Sequence, residues 1–331
     1  MTNLKKLGLS ALAGSLVAFS AQAGELAVSG GAKFTYTGDT GKNDAEADGN
    51  RFGMQQLMTF SGSGEMDNGH TISLSHNMTS NGGKSSSSLT YDMGEMGSLT
   101  YNQESGDLGI GKIDDIMPTA EEEVWNGISA VADGGATAVG PNGRVDSGTT
   151  GFNYAYSVDG LADINIGYGV KTSDNSQDDG GNSGTGAVES ATSIAVSMTP
   201  MDGLRIVAGT GEKGATDSTS NDHTTYGFTY AFGPLTVGAQ QSEIDYAASG
   251  TADLETDMYG ISFAVNDDLS VSYGSQETTA DGDDDKQKLT GMSVGYSMGS
   301  MSLKAHKNKG EKLQQGANES EHTEISLSFA F

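Results

Sequence analysis

From Leu26 to the end of the chain, apolar residues recur at every second position in short runs. Leu26, Val28, Ala32, Phe34 and Tyr36 share one parity, and so do Tyr226, Phe228, Tyr230 and Phe232. Ile325, Leu327, Phe329 and Phe331 close the chain in the same way. The residues between them are Ser, Thr, Gly, Asn and Gln, with occasional charges. A period of two places one set on each face of a β-strand. After Gly24 no segment carries a sustained apolar stripe of helical period. The runs pair across tight turns such as Asp159-Gly160, Asp202-Gly203, Gly233-Pro234 and Gly299-Ser300. Longer polar connections alternate with these turns: Thr37 to Asn50, Lys171 to Glu189, Thr278 to Lys286 and Asn308 to Glu321. The pattern predicts an up-and-down meander of about sixteen strands, Phe52 to Ser63 being the second and Glu321 to Phe331 the last.

An all-β meander with one apolar and one polar face has two solutions. A soluble sandwich points its apolar face inward and needs a large core to do so. Hydrophobic residues are only 35% of the chain, too few to fill one of that size. A transmembrane antiparallel β-barrel turns the apolar face to lipid and the polar face to its lumen, with short turns at one end and long loops at the other. Closure also pairs every backbone N–H and C=O, which a bilayer demands. The sequence therefore predicts an all-β transmembrane barrel. Tyr36, Tyr91, Tyr101, Tyr168, Phe232, Tyr273 and Phe331 fall near strand ends, where rings meet lipid headgroups.

Composition and charge narrow the function. The formal net charge is −27, from 44 Asp and Glu against 17 Lys and Arg. Nucleic-acid partners are excluded, because phosphate binding needs a basic surface. The absence of Cys excludes disulfides, thiolate metal sites and Cys nucleophiles. Met1 to Ala23 joins Lys5 and Lys6, an apolar Leu7–Phe19 stretch and an Ala21-Gln22-Ala23 cleavage site, which reads as a bacterial secretory signal peptide. The expected mature barrel runs from Gly24 to Phe331, and loss of the two lysines takes its charge to −29.

One connection is out of scale. Gly106 to Asp146 holds the single Trp, Trp125, with Pro118, Pro141 and a set of apolar residues including Ile110, Ile113, Ile116, Val124 and Ile128. A loop this long is functional or disordered, and its apolar residues need a surface to pack on, which the lumen wall supplies. Thr119 followed by Glu122 predicts a helix start with Thr119 as N-cap. On the wall itself, alternation turns Lys33, Arg51, Arg205 and Lys304 inward, since their sequence neighbours are the apolar, lipid-facing residues.

No enzyme signature accompanies this pattern. The five His form no HExxH, no G-x-S-x-G occurs, and Gly109-Ile110-Gly111 lacks a βαβ context. No cofactor or structural metal is required. The acidic stretches Asp281–Asp285 and Asp178-Asp179 are candidates for Ca²⁺ or Mg²⁺ through oxygen ligands, without EF-hand spacing.

Signal peptide, alternating strands, long loop after the fifth strand and terminal Phe331 together resemble the general porins of Gram-negative bacteria, in a glycine-rich, acidic style similar to the alphaproteobacterial members. The resemblance covers Gly24 to Phe331. It implies an outer-membrane channel for small hydrophilic solutes and ions, a homotrimer, and contact with outer-membrane lipid and lipopolysaccharide. It implies that the 106–146 loop folds into the barrel as a constriction. The loop acids are then Asp107, Asp114, Asp115, Glu121, Glu122, Glu123 and Asp133, facing basic residues of the wall. It also implies that Phe329 and Phe331 form the signal read by the outer-membrane assembly machinery. The Pro-Glu-Phe-Gly-Gly loop signature of enteric members is absent. The acid-rich loop leads to an expectation of cation preference. The alternative is a structural or adhesive outer-membrane barrel without an open channel.

Overall fold

The computed structural model of the chain describes residues 26–41, 50–80, 82–104, 107–128, 145, 150–170, 189–216, 219–283, 285–313 and 318–331. The expected signal peptide and Asp133 lie outside the described residues. The first eight strands are β1 (Ala27–Gly41), β2 (Phe52–Glu65), β3 (Thr71–Thr79), β4 (Lys84–Asp92), β5 (Ser98–Gln103), β6 (Gly151–Val158), β7 (Ala162–Gly169) and β8 (Ala191–Met201). The second eight are β9 (Leu204–Thr216), β10 (Thr219–Phe232), β11 (Leu235–Asp245), β12 (Leu254–Ala264), β13 (Leu269–Ala280), β14 (Gln287–Met298), β15 (Met301–Leu313) and β16 (Asn318–Ala330). Each strand pairs antiparallel with its neighbours in the chain, and β1 pairs with β16 to close a barrel of 16 strands. The closure continues one residue past β16: Phe331 N–H donates to the Gly30 carbonyl at 2.9 Å, and Gly30 N–H donates back at 2.8 Å.

The two faces separate as alternation requires. Phe34, Met54, Leu74, Leu89, Phe228, Ile261, Met292 and Leu303 are exposed on the outer face. That face is the one lipid covers, which explains apolar exposure that a water-soluble protein could not sustain. The buried positions of β8 to β16 carry the opposite parity: Ser193, Val207, Thr225, Gln240, Thr256, Gln276, Leu289, Asn308 and Ser326.

Several strands outrun their apolar pattern. The connection expected from Asn308 to Glu321 is mostly strand, since β15 reaches Leu313 and β16 starts at Asn318. β9 and β10 likewise meet across only 217–218, well beyond the last apolar residues of the hairpin. Alternation in hydrophobicity reports only the part of a strand that borders lipid. Past the bilayer the ladder continues with polar residues on its outward face, joined across strands by ion pairs such as Lys307–Glu321 at 3.1 Å and Lys288–Glu277 at 2.9 Å.

Residues 107–128 lie against the inward face of the wall. A short 3-10 helix at Gly109–Ile113 buries Ile110 and Ile113 with Ile116, Val145, Ala195 and Val207. A second cluster joins Ile128 to Leu289 and Leu313, with Val124 and Trp125 packed beside it. Burying such a side chain contributes roughly 2 kcal/mol, so the loop is held along its length and not at one point. The helix expected from Thr119 does not form. Thr119 instead makes a local turn, its hydroxyl donating to the Glu122 carbonyl at 3.0 Å and accepting from Glu121 N–H at 3.3 Å. The backbone groups a helix would pair internally are taken by the wall: Ala120 N–H donates to Ser272 Oγ at 2.9 Å, and Asn308 Nδ2 donates to the Glu123 and Asn126 carbonyls, both at 2.9 Å.

Candidate functional site

The loop needs a bed, and small residues provide it. A Cβ added to Gly238 or Gly260 would stand 2.8 or 2.9 Å from Pro118 Cδ, and one added to Gly295 would stand 2.6 Å from the Ala120 carbonyl oxygen. Gly209 is under the same pressure from Ile110 and Ile113, at 3.0 Å each. Side chains at these inward positions would lift the loop off the wall. Polar anchors alternate with the glycines. Asn153 Oδ1 accepts from Gly109 N–H at 2.9 Å, and Ser193 Oγ accepts from Ile110 N–H at 3.1 Å. Gln240 does most: its Oε1 accepts from Ile116 N–H at 2.9 Å, and its Nε2 donates to the carbonyls of Ile113 at 2.7 Å and Asp114 at 3.2 Å. Each bond satisfies a loop backbone group that would otherwise be buried without a partner.

Charge completes the attachment at the far end of the loop. Lys304 Nζ stands 2.6 Å from Glu121 Oε2, and the Glu121 side chain is only 4% exposed. Lys33 Nζ lies 2.7 Å from Glu324 Oε1 and 3.8 Å from Glu122 Oε1. Burial, and then the adjacent Glu121 carboxylate, hold Glu122 above the usual carboxylate range, with Lys33 opposing the shift. Between the anchors Lys304 and Asn308, His306 is 3% exposed, and neither of its ring nitrogens has a hydrogen-bond partner among the described residues. Its ring lies 5.3 Å from that of His322, which pairs with Asp39. Gly127, at φ +71°, rests its backbone on the His322 ring, a conformation and an approach that a side chain would forbid.

The remaining sequence-predicted residues are spread more widely. Arg51 precedes β2 and pairs in register with Thr37, on the parity of Lys33. Arg205 turns inward on β9, its Nε donating to Ser197 Oγ at 2.9 Å, far around the wall from Lys33. Asp107 is exposed; Asp114, Asp115 and Glu123 are half-buried in the loop. Asp115 accepts from Met117 N–H at 2.7 Å. Phe329 faces outward, and the ring of Phe331 covers Gly30. Of the acidic stretches proposed for cations, Asp178-Asp179 and Asp284 lie outside the described residues, and Asp285 pairs with Lys312. Among the described residues no group of three His, Asp or Glu converges as a metal site.

The wall that the described loop residues leave uncovered has another character. Across β2 to β5 the inward positions form registered rows: Thr59–Asn77–Ser86, Ser61–Ser75–Ser88–Asn102 and Ser63–Ser73–Thr90–Thr100. Thr59 Oγ1 donates to Asn77 Oδ1 at 2.7 Å, Asn77 Nδ2 donates to Ser86 Oγ at 2.8 Å, and the Thr90 and Thr100 hydroxyls are 2.9 Å apart. None of these residues is charged. All are half-exposed except Ser63, which is exposed, and Asn102, which is buried.

Sequence reasoning missed the glycine bed, Gln240, Asn308, Glu324 and the His306–His322 pair. Glu324 could have been found, because it shares its parity with Ser326 and Ser328 opposite Lys33 on β1. The glycines carried a signal only in their number, 49, since which strands lie under the loop is a property of barrel closure.

Residues 8–329 match the family model described as Gram-negative porin. No curated protein matches the chain. Solved structures with the same fold include an anion-selective porin from Comamonas acidovorans, 14% identical at a TM-score of 0.65, covering 94% of this chain and 100% of its own. The trimer form of OmpT from Vibrio cholerae is 12% identical at a TM-score of 0.63, with 94% and 100% covered. A mutant porin of Rh. blastica is 14% identical at a TM-score of 0.58, with 93% and 100% covered.

Proposed function

We propose a selectivity and an assembly from one premise: the chain belongs to the Gram-negative porin family and is a channel-forming protein of the outer membrane. On this reading it is exported by the Met1–Ala23 signal and catalyses no reaction. It passes small hydrophilic solutes and ions passively, with a preference for cations. The fold alone cannot set that preference, because the Comamonas acidovorans relative with the same fold is anion-selective. Side chains must.

The observation that carries the reading is the pairing of the two wall lysines that reach the loop acids. Lys33 and Lys304 are held by Glu324 and Glu121. Glu122, Glu123, Asp114 and Asp115 add further carboxylates to the same segment. Excess carboxylate in a narrow passage raises the local cation concentration, and salt screens it. Residues 106–146 are the constriction on this reading, with Asp107 at its start and Asp133 within it. Phe329 and Phe331 serve the assembly machinery, and the barrel associates as a homotrimer, as the Vibrio cholerae relative has been solved. Lipopolysaccharide and divalent cations meet the acidic outer connections.

Planar-bilayer recording in a KCl gradient tests the reading. Stable open steps with a cation-selective reversal potential that weakens with salt are expected. Absent steps would favour a plugged structural barrel, and an anion-selective sign would reject the selectivity.

A further inference from the structure

The wall of β2 to β5 that the described loop residues leave uncovered offers mainly hydroxyls and amides between its strand ends, with Leu57 the one exposed apolar side chain among its described inward positions. Thr59, Ser75, Asn77, Ser88, Thr90 and Thr100 stand there in register. A serine or threonine hydroxyl both donates and accepts, and an asparagine amide does the same through two atoms. A solute sliding along such a surface exchanges hydrogen bonds without meeting a fixed charge. The loop side of the lumen is different in kind, since its acids outnumber Lys112, the exposed lysine of its described residues, and the wall lysines Lys33 and Lys304 are already paired. The two sides therefore make different demands on one passing solute: positive charge on one flank and hydrogen-bonding groups on the other.

We propose that the solutes this channel favours are small organic cations bearing hydroxyl or amide groups. The ammonium or guanidinium end follows the loop carboxylates, and the polar body replaces part of its hydration with the hydroxyls of β2 to β5. The assignment rests on the reading of the chain as an open, cation-preferring channel and adds a role for the wall opposite the loop. Potassium uses only the carboxylate flank. A cation of similar size without hydroxyls must give up hydration on the bare flank for nothing in return.

Bi-ionic potentials on the full-length channel test this directly, with diethanolammonium and dipropylammonium chloride as the probes against KCl. These ions are similar in size and equal in charge and differ in their hydroxyls. In the unmodified channel the permeability of diethanolammonium over dipropylammonium is expected to exceed their free-diffusion ratio by about threefold, the scale of a few exchanged hydrogen bonds. Replacing Thr59, Thr90 and Thr100 together by valine keeps side-chain shape and strand propensity and is expected to bring the ratio back to the free-diffusion value. The K⁺/Cl⁻ reversal potential should stay unchanged. If the triple variant loses the heat-modifiable migration of a folded barrel, Ser75→Ala provides the same comparison at one position. A free-diffusion ratio in the unmodified channel, or a raised ratio that survives the valines, overturns the proposal while leaving cation preference standing. An anion-selective K⁺/Cl⁻ potential, or the absence of channels, rejects the underlying reading and this proposal with it.

Discussion

On β7 to β15 the inward positions alternate glycine with amide and hydroxyl anchors, and a folded segment lies on them. On β2 to β5 the same parity carries registered rows of Ser, Thr and Asn, mostly half-exposed and hydrogen-bonded to one another. The backbone of the two regions is the same antiparallel ladder. What differs is whether the lumen face binds protein or is left for water and solute. Glycine and one well-placed amide turn a wall into a bed; a small hydroxyl keeps it a wall. That contrast accounts for the glycine-rich composition better than turn conformation alone, because several of these glycines sit in mid-strand, where glycine is otherwise unfavourable.

The contrast can be broken most severely by removing what lies on the bed. Deleting Lys112 to Val139 should leave a closed, heat-modifiable barrel, since the ladder from β5 to β6 does not depend on the loop. Single-channel conductance is expected to rise severalfold, because the passage widens on the loop side. Unchanged conductance would mean that the covered wall does not border the conducting path.

A smaller perturbation targets the bed itself. Gly238→Leu together with Gly260→Leu drives side chains into Pro118 and Met117. Overpacking of this kind costs about 1–3 kcal/mol per site, and the loop can escape it only by lifting. Hydrogen exchange in residues 109–120 should accelerate strongly, with added noise in the open channel. Ser75→Leu on the bare wall is the matched control, and it should leave exchange in the loop unchanged. Equal effects from both walls would dissolve the distinction.

Smaller again is the removal of one anchor. Gln240→Leu keeps bulk but strips the bonds to Ile113, Asp114 and Ile116. Buried backbone groups left unpaired cost roughly 1–3 kcal/mol each. Local opening of the 3-10 turn, read by exchange at Ile116 N–H, is the expected result. Asn77→Leu removes two bonds as well, to Thr59 and Ser86. Water replaces them on the open wall, so the expected loss of thermal stability there is under about 1 kcal/mol.

The strands and their facing were legible because lipid imposes a strict rule on every second residue. Lys33, Arg205 and Lys304 could be turned inward on that rule alone. The rule stops at the edge of the bilayer, which is why Asn308 to Glu321 reads as a connection although β15 and β16 extend into it. It also says nothing about which strands come together across the lumen. The partners of Glu121, Ile116 and Gly127 are separated from them by more than a hundred residues of chain, and no local signal encodes such contacts. The expected helix at Thr119 failed for the same reason. Its capping sequence is sound as local chemistry, but Ser272 and Asn308 compete for the backbone groups.

The finest test of the contrast is pH, because the registered rows of β2 to β5 contain no titratable group, whereas the loop presents Glu122 beside Glu121 and Lys33. Burial and the neighbouring carboxylate raise the pKa of Glu122. A carboxyl with a raised folded-state pKa prefers its proton in the native state, so the folded form gains stability relative to the unfolded chain as pH falls and loses it as pH rises through that raised value. The charge consequence runs in the same direction. On acidification Glu122 is neutralised before an ordinary glutamate, and one negative charge leaves the loop flank while external carboxylates are still ionised. Cation preference, measured as K⁺/Cl⁻ reversal potential, should therefore decline in an early step on the alkaline side of the usual glutamate range, followed by a broader fall. Glu122→Gln should lower the preference at neutral pH and abolish the early step. Lys33→Met removes the lysine that opposes the shift and should move the step to higher pH. An early step that persists in Glu122→Gln would place the titrating group elsewhere on the covered side, with Glu123 and Glu121 next to be replaced. A reversal potential flat across the range would show that the loop carboxylates do not face the permeating ions.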